Sequence, residues 1–291
     1  MTLEQLRIFV GVAEREHMTR GAEALNITQS AASGAIATIE ARYGVPLFHR
    51  VGRGIQLTQA GHVFLAEARA VLGRAAHAET ILADFAGLMR GRLTIVASQT
   101  IASYWLPPRL AAFHARYPQI GIEVAIDNTQ GAAEQVLSGA AELGFIEGEI
   151  DEPALARWPV DHDPMVLVGR ERVDAIDAAW LGAARWVMRE KGSGTRSTIE
   201  EDLRAFDVDP AAVNVALTLP SNEAVATAAE AGAGIAALSR LVCARALKTG
   251  DLVELPFSLP DRSFYALRHK ERYRTRTADA LTELIKEMGS A

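Results

Sequence analysis

Four short groups of hydroxyl and amide side chains precede segments that have the spacing of helices. Where strands and helices alternate, such groups meet at the carboxyl ends of the strands, which is where small ligands bind. Helix N-termini supply free N–H groups and a positive dipole end, so a small anion is the expected ligand, with Arg196 adding a charge-assisted bond. The alternative is that these residues are ordinary helix caps. The candidate ligand residues are Ser98, Gln99, Thr100, Thr129, Gln130, Ser193, Gly194, Thr195, Arg196, Ser221 and Asn222.

A second group of polar side chains lies in the segment ITQSAASGAIATIEARYGVPLFHRVGRG, residues 27–54. Its first half has helical spacing, and its second half contains two short extended pieces joined by a turn. Arginines beside such a turn are placed to meet phosphates or a minor groove, while hydroxyl and amide groups on the helix could contact base edges. The exposed polar residues are Gln29, Ser30 and Ser33 on the helix and Arg50 and Arg53 beside the turn.

Three short helices before residue 45 position this segment. Thr19 is the predicted N-cap of the second helix, and Thr28 is the predicted cap of the third helix, which ends at Gly44. Two helices joined by a connection of about four residues form a helix-turn-helix, whose second helix enters the major groove of DNA. The hairpin after the third helix is therefore predicted to be a wing.

The composition is that of an ordinary globular protein, with 49% hydrophobic and 23% charged residues in a chain of 291. Residues 1–92 hold ten Arg against eight acids (net +2), and residues 93–291 hold 20 basic against 28 acidic residues (net −8). The more basic N-terminal part indicates an anionic partner. No apolar run is long enough for a membrane span, and the start MTLEQLRIFV lacks the pattern of a signal peptide, so a cytoplasmic location is expected.

One long helix is predicted from Gln59 to about residue 88, because no proline interrupts this stretch. Apolar residues recur in it at alternating spacings of 4 and 3, the pattern of a helix that pairs with another helix. We interpret it as a linker and dimerisation helix, and the alternative is a core helix packed on its own domain. The predicted seam consists of Phe64, Ala68, Val71, Ala75, Ala78, Leu82 and Phe85.

Beyond residue 91 short apolar strands alternate with helices, which predicts an α/β sandwich with a largely parallel sheet. The first run contains RLTIVAS, GIEVAID and ELGFIEG, and the second contains PMVLVG, RWVMRE, VNVALTL and GIAAL. Two such runs predict two lobes that are joined by crossovers near 163–166 and 260–266. Lobe I is predicted to comprise 91–163 and 266–291, and lobe II to comprise 164–265.

The motifs of the N-terminal part resemble those of the LysR-type transcriptional regulators. The matching stretches are LEQLRIFVGVAE, TRGAEALNITQSAASGAI, IEARYGVPLFHR and a wing that ends in LTQAG. The resemblance implies a winged helix-turn-helix DNA-binding domain (1–58), a linker helix (59–90) and an α/β effector-binding domain (91–291) with two periplasmic-binding-protein-like lobes. By position, it also implies that double-stranded DNA is contacted by Thr28, Gln29, Ser30, Ser33, Arg50 and Arg53.

The same resemblance implies how the protein assembles and which ligands it senses. Members usually form homotetramers built from homodimers, and RNA polymerase is a further candidate partner. The segment EKGSGTR followed by SNEA is similar to regulators of carbon fixation and sulfur metabolism, which implies a phosphorylated metabolite or an oxyanion such as sulfite or sulfate. Many relatives carry a long polar residue where this chain has Gly34 or Ala35, so we expect a close approach of the helix to the groove.

Motifs of enzymes and metal sites are missing from the sequence. GSGTR lacks the Gly-Lys-Ser/Thr ending of a P-loop, and the seven histidines are scattered. The single Cys243 excludes an internal disulfide and a Cys-rich zinc site. We therefore expect a ligand-responsive transcription factor with no cofactor, catalytic site or metal site. The alternative is an α/β solute-binding or enzymatic protein whose N-terminal helices serve only oligomerisation.

Overall fold

The computed structural model of the chain describes residues 1–51, 54–86 and 90–289. The predicted wing residue Arg53 and residues 87–89 of the predicted linker lie outside that part. The chain divides into two units, Met1–Leu82 with Ser138–Ala141, and Ala83–Leu137 with Glu142–Ala291.

The first unit begins with three helices and a hairpin, as predicted for a winged helix-turn-helix. The helices bury apolar residues at helical spacing and enclose small cores between them. The hairpin strands pair antiparallel, with Arg50 opposite Ile55, so the wing is confirmed. The elements are α1 (Leu3–Ala13), α2 (Met18–Ala24), α3 (Gln29–Tyr43), β1 (Phe48–Val51) and β2 (Gly54–Leu57).

Two of the three predicted helix ends are confirmed. Thr28 caps α3 by accepting a backbone hydrogen bond at 3.2 Å, and Gly44 ends that helix with a φ of 66°. The predicted cap at Thr19 is wrong. α2 begins at Met18, directly after its N-cap His17, and the ring nitrogen Nδ1 of His17 accepts the capping bond from Arg20 N in place of a hydroxyl.

The long helix α4 (Gln59–Phe85) begins where it was predicted. The dimerisation seam, however, is wrong at its N-terminal end. Ala68 is 1% exposed, and the ring of Phe64 lies 4.8 Å from that of Phe9, so both side chains pack in the core of the first unit. In the rest of the seam, Ala75 is half-buried, and the exposed residues are Val71, Ala78, Leu82 and Phe85. Pairing of this part of α4 with a second helix stays a prediction.

The second unit continues from the end of α4 and alternates strands with helices. A single turn of wide, π-type helix at Ile101–Trp105 precedes its first regular helix. The remaining elements are β3 (Gly91–Ala97), α5 (Leu106–Arg116), β4 (Ile120–Ile126), α6 (Thr129–Ser138), β5 (Leu143–Glu147), β6 (Leu155–Asp163), β7 (Met165–Gly169), α7 (Ala178–Ala183), β8 (Arg185–Arg189), α8 (Gly194–Ala205), β9 (Asn214–Leu219), α9 (Asn222–Glu230), β10 (Ala236–Ser239), α10 (Arg240–Thr249), β11 (Val253–Ser258), β12 (Arg262–His269) and α11 (Arg276–Gly289).

Two sheets with the same layout form the two predicted lobes. The sheet of lobe I has the order β4-β3-β5-β12-β6. In lobe II, Ile235 exchanges backbone hydrogen bonds of 2.8 Å with β8, which joins the pair β8-β9 to the sheet β10-β7-β11. The resulting order β9-β8-β10-β7-β11 repeats that of lobe I. Both sheets are mixed, since β12 and β7 pair antiparallel with their neighbours, so a largely parallel sheet was the wrong expectation.

The crossovers between the lobes lie close to their predicted positions. β6 ends at Asp163 and β7 begins at Met165, as expected for the first crossover. The predicted return at residue 266 is four residues late, because all of β12 from Arg262 onward belongs to the sheet of lobe I. Among the described residues, no helix has both the length and the apolar character needed to cross a bilayer.

Candidate DNA interface and effector cleft

In the first unit, α3 and the wing enclose a groove of about 510 Å³. Three of the predicted DNA contacts, Gln29, Ser33 and Arg50, line this groove together. Thr28 and Ser30 lie at the start of α3, where their hydroxyl oxygens are 3.0 Å apart and share a hydrogen bond. The groove therefore has an amide and a hydroxyl on one wall and an arginine on the other, which are the side-chain types that contact base edges and phosphates in DNA complexes.

Glu40 fixes the wing on α3. Its Oε1 accepts hydrogen bonds from Leu47 N at 2.6 Å and from Phe48 N at 3.2 Å. These bonds occupy the carboxylate with donors of its own domain, although it also lines the groove. They hold the start of β1, and with it Arg50, in a defined position on α3.

The two small residues of α3 have different surroundings. Gly34 is exposed, and a Cβ added there would have no atom within 4 Å, so this position lies open at the surface. Ala35 packs against the core cluster that contains Val12 and Ile36. The expectation that both small residues face DNA is therefore wrong for Ala35, because the helix turns it toward the core.

In the second unit, a polar network joins lobe I to lobe II. Gln99 Oε1 accepts hydrogen bonds from Arg189 Nη1 at 3.0 Å and from Asn222 N at 2.7 Å. Asn222 accepts a further bond from Arg189 at 2.8 Å and donates to Thr100 Oγ1 at 2.8 Å. Gln99 and Thr100 follow β3 of lobe I, whereas Arg189 ends β8 and Asn222 begins α9 of lobe II. The predicted effector residues of these loops thus meet in one cleft.

Arg262 lies 5% exposed where the chain returns from lobe II to lobe I. Its guanidinium donates to Asp163 at 2.7 Å, to Thr195 at 2.9 Å and to Thr100 at 3.2 Å. Burial raises the pKa of Asp163, and the Arg262 guanidinium opposes this shift. Asp163 and Arg262 lie at the two crossovers between the lobes. This buried ion pair therefore links the crossover segments to each other, and Arg262 also bonds to Thr100 of lobe I and Thr195 of lobe II.

Glu223 adds a carboxylate to the same cleft. It accepts a hydrogen bond from Gln99 Nε2 and another from the Tyr104 hydroxyl at 3.3 Å. Burial, together with the charge of Glu223, raises the pKa of Tyr104, so the phenol stays protonated and donates. A second carboxylate, that of Glu190, pairs with Arg189 through two hydrogen bonds of 2.8 and 2.9 Å. The cleft therefore contains charges of both signs.

The remaining predicted effector residues serve several structural purposes. Ser221 caps α9, and Arg196 bonds to Glu200 at 2.7 Å on its own helix. Gln130 is exposed, and Ser193 is buried at the start of α8. Ser98 is 2% exposed, and its hydroxyl has no hydrogen-bond partner within the described ranges. Their direct contact with a ligand stays a prediction.

Gly194 allows the loop before α8 to approach lobe I closely. A Cβ at this position would lie 2.3 Å from Glu147 O and 2.6 Å from Thr129 Oγ1. Thr129 Oγ1 itself donates to Glu147 O at 2.8 Å, so the predicted residues Thr129 and Gly194 meet at one carbonyl. Only glycine fits this contact without movement of the backbone.

We expect Gly194→Ala to lower the free energy of unfolding by about 1–3 kcal/mol, because the added methyl group must displace packed backbone. The matched control is Gly182→Ala, since a Cβ at Gly182 on α7 would have no atom within 4 Å. Alanine favours a helix by about 1 kcal/mol over glycine, so the control should be neutral or stabilised. Urea unfolding measures both changes, and equal stabilities of the two variants would contradict the close approach.

Sequence reasoning missed the charged residues of the cleft, namely Arg189, Glu223, Arg262 and their partners. Arg189 is the last residue of β8, and Arg262 is the first residue of β12. A charged residue at the end of a buried strand was a usable signal for Arg189, because such strand ends border ligand clefts. No comparable signal marks Glu223, which sits in the first turn of α9 as an ordinary helix-stabilising acid would.

The described residues include candidate metal ligands and the single thiol of the chain. Within the ranges that are described, no group of three or more His, Cys, Asp or Glu side chains could hold a metal ion. Cys243 is fully buried, and burial raises the pKa of its thiol to about 12. The thiol therefore stays protonated and unreactive at neutral pH.

Two family models match nearly the whole chain. The model "Bacterial regulatory helix-turn-helix protein, lysR family" matches residues 3–62, and "LysR substrate binding domain" matches residues 86–290. The HTH-type transcriptional regulator YeiE of Escherichia coli K12 is 31% identical, with 94% of this chain and 93% of that protein covered. The RuBisCO operon transcriptional regulator of Allochromatium vinosum is 30% identical, with 98% and 95% covered.

Solved structures with the same fold include full-length CbnR in complex with its target DNA. That structure has a TM-score of 0.69 at 21% identity and covers 99% of both chains. The regulatory domain of CcmR from Synechocystis PCC6803 in complex with 2-PG has a TM-score of 0.61 at 23% identity, with 68% of this chain and 97% of that chain covered. At these identities the two likenesses show the architecture.

Proposed function

Because the chain belongs to the LysR family of bacterial transcriptional regulators, we propose that it binds operator DNA through its first unit and a small anionic metabolite through its second. Binding of the metabolite between the lobes changes how they close and so alters operator binding or bending. The relatives are named as transcriptional regulators, which favours this function over the solute-binding or enzymatic alternative.

DNA is recognised by the groove between α3 and the wing. Gln29 and Ser33 contact base edges, and Arg50 contacts phosphate, because these side chains share one groove. Arg53 adds a second positive charge at the wing, and Thr28 and Ser30 contribute hydroxyl contacts at the start of the helix. The shortness of Ser33 and the lack of a side chain at Gly34 require a close approach of helix to DNA.

The observation that carries the effector proposal is Arg189, which is 5% exposed and directs Nη1 at the cleft between the lobes. Its Nη2 and Nε are held by Glu190, so the guanidinium is fixed in position. The backbone N–H of Asn222, in the first turn of α9, points at the same acceptor position as Arg189 Nη1. A fixed guanidinium beside a helix N-terminus is a binding site for the oxygen of a carboxylate or phosphate. The complex of a related fold with anionic 2-PG supports this ligand class.

Assembly into homodimers and then a homotetramer uses the exposed part of the α4 seam, Val71, Ala78, Leu82 and Phe85. Two copies supply the two half-sites of a symmetric operator. The proposal requires a cytoplasmic location, because operator DNA and RNA polymerase, a further candidate partner, are found there.

A thermal-unfolding screen of the full chain with carboxylates, sugar phosphates and sulfur oxyanions tests the effector proposal. A ligand at about 100 times its Kd stabilises the folded state by about 2.7 kcal/mol and so raises Tm. The same ligand should raise the Tm of Arg189→Met much less. If no anion raises Tm, or if Arg189→Met responds as strongly as the wild type, the anionic effector is refuted.

A further inference from the structure

The carboxamide of Gln99 occupies a site with donors on one side and an acceptor on the other. Its oxygen accepts hydrogen bonds from Arg189 Nη1 at 3.0 Å and from Asn222 N at 2.7 Å, and its nitrogen donates a hydrogen bond to Glu223. Guanidinium and backbone N–H groups only donate, and an ionised carboxylate only accepts, so this orientation of the amide is the one that satisfies all three partners. Gln99 thus fills the cleft as a neutral side chain between a cation and an anion.

On the side of Arg189, the position of the Gln99 oxygen favours a charged oxygen over this neutral amide. Arg189 is 5% exposed, and hydrogen bonds to charged groups are stronger when both partners are ionised and shielded from water. The hydroxyl of the adjacent Ser98 is buried without a partner in the part of the chain that the structure describes. An unsatisfied buried hydroxyl costs free energy unless a ligand or water bonds to it. Ser98, the neighbour of Gln99 in the chain, therefore has a hydrogen-bonding group that is not used by the described residues.

Glu223 restricts which anions can enter. One of its oxygens accepts a hydrogen bond from the Tyr104 hydroxyl at 3.3 Å, and the other accepts one from Gln99 Nε2. Any group that replaces the amide nitrogen must donate a hydrogen bond to this carboxylate. A ligand whose oxygens are all acceptors would face like charge at this position, which disfavours binding.

We propose that the effector displaces the Gln99 carboxamide and is an oxyanion that also carries a hydrogen-bond donor next to its charged oxygens, as hydroxy acids and hydrogen phosphate do. Its charged oxygen takes the place of Gln99 Oε1 on Arg189 and Asn222 N, and its hydroxyl takes the place of Nε2 on Glu223. Sulfate, which has no donor at neutral pH, is rejected. This inference rests on the proposed anionic effector, and it makes Gln99 an internal competitor of the ligand.

Calorimetric titration of the full chain with glycolate, inorganic phosphate and sulfate near neutral pH tests the proposal. The wild type should bind glycolate or phosphate at least about tenfold more tightly than sulfate, because a site built around a hydrogen bond rejects an analogue that lacks it. Glu223→Gln, which offers a donor in place of an obligate acceptor, should bring the affinities for sulfate and phosphate within about twofold. Retention of the preference in Glu223→Gln, or equal affinities in the wild type, would overturn the donor requirement.

Gln99→Ala tests the competition. We expect it to bind the preferred probe about tenfold more tightly than the wild type, since the ligand no longer has to displace the amide. Loss of binding would instead show that Gln99 is a contact of the ligand, and unchanged binding would show that it does not compete. The matched control is Gln119→Ala, an exposed glutamine between α5 and β4, which should leave all affinities unchanged.

Hydrogen exchange gives a readout that needs no ligand. In Gln99→Ala the amide of Asn222 loses its acceptor and should exchange faster than in the wild type. Unchanged exchange at this amide, or failure of every probe to bind both the wild type and Gln99→Ala, would refute the displaced carboxamide. DNA binding by the same preparations is scored separately, so a regulator that binds DNA but none of the probes would refute this inference and leave the DNA-binding function intact.

Discussion

Arg262→Met is expected to lower the free energy of unfolding by about 3–5 kcal/mol. The variant keeps the length of the side chain but leaves the carboxylates of Asp163 and Glu147, which lie 2.7 and 3.5 Å from Arg262, without their buried counter-ion. Urea unfolding of the full chain measures the change. Since the two crossovers meet at this pair, the effector domain should also become more susceptible to proteolysis.

Two controls separate the loss of charge from the loss of packing. Arg240→Met breaks a 2.6 Å ion pair with Glu254 whose side chains are 48% and 45% exposed, and it should cost no more than about 1 kcal/mol. Adding Asp163→Asn to Arg262→Met should recover part of the lost stability, because it removes one of the uncompensated charges. A cost equal to that of Arg240→Met, or no recovery in the double variant, would contradict a buried ion pair at the crossovers.

The pH dependence of this variant follows from the shift of Asp163. Burial raises the pKa of Asp163, and Arg262 is the group that opposes the rise, so the pKa should rise further in Arg262→Met. A carboxyl group whose folded-state pKa is raised above its unfolded value destabilises the fold fully above the folded-state pKa. The penalty shrinks as pH falls from there toward the unfolded pKa. The stability deficit of Arg262→Met should therefore shrink as pH is lowered.

Arg50→Ala should weaken binding to operator and random DNA alike, by about tenfold, and should reduce the dependence of log K on log salt by about one unit of slope. The reason is that a wing arginine neutralises phosphate, which carries no sequence information. Ser33→Ala should instead reduce the preference for the operator, by about 1–3 kcal/mol, because Ser33 lines the groove and we propose that its hydroxyl contacts a base edge. Fluorescence anisotropy at several salt concentrations measures both effects.

The matched control for these variants is Arg274→Ala, which removes an exposed arginine of the second unit that pairs with Asp279. It should leave DNA affinity and its salt dependence as in the wild type. An identical loss on operator and random DNA for both Arg50→Ala and Ser33→Ala would show that α3 and the wing do not divide recognition in this way.

The winged domain could be predicted from the sequence because its signals are local. The cap at Thr28, the left-handed Gly44 and the apolar spacing of α3 all lie within one short segment and agree with one another. The α4 seam was predicted less well, since a heptad pattern reveals an apolar face without identifying what covers it. Phe64 and Ala68 are buried by residues of the winged domain itself.

Parts of the effector domain could not be predicted because their partners are distant in the chain. β6 was missed because Pro159 and several charged residues interrupt its apolar pattern, a composition that an edge strand tolerates. Arg189 bonds to a residue 90 positions away, and Arg262 to one 99 positions away. No spacing rule links such pairs, so the charged residues of the cleft emerge only when the two lobes are folded.

We propose that this chain binds specific DNA and responds to a small anion. The most direct test is a salt titration of its binding to the DNA upstream of its own gene. Log K should fall linearly with log salt and should exceed that for random DNA at every salt concentration. The anion that raises Tm in the thermal screen should shift this affinity or the bend of the bound DNA. Binding that is absent or insensitive to salt, with and without that anion, would contradict the account.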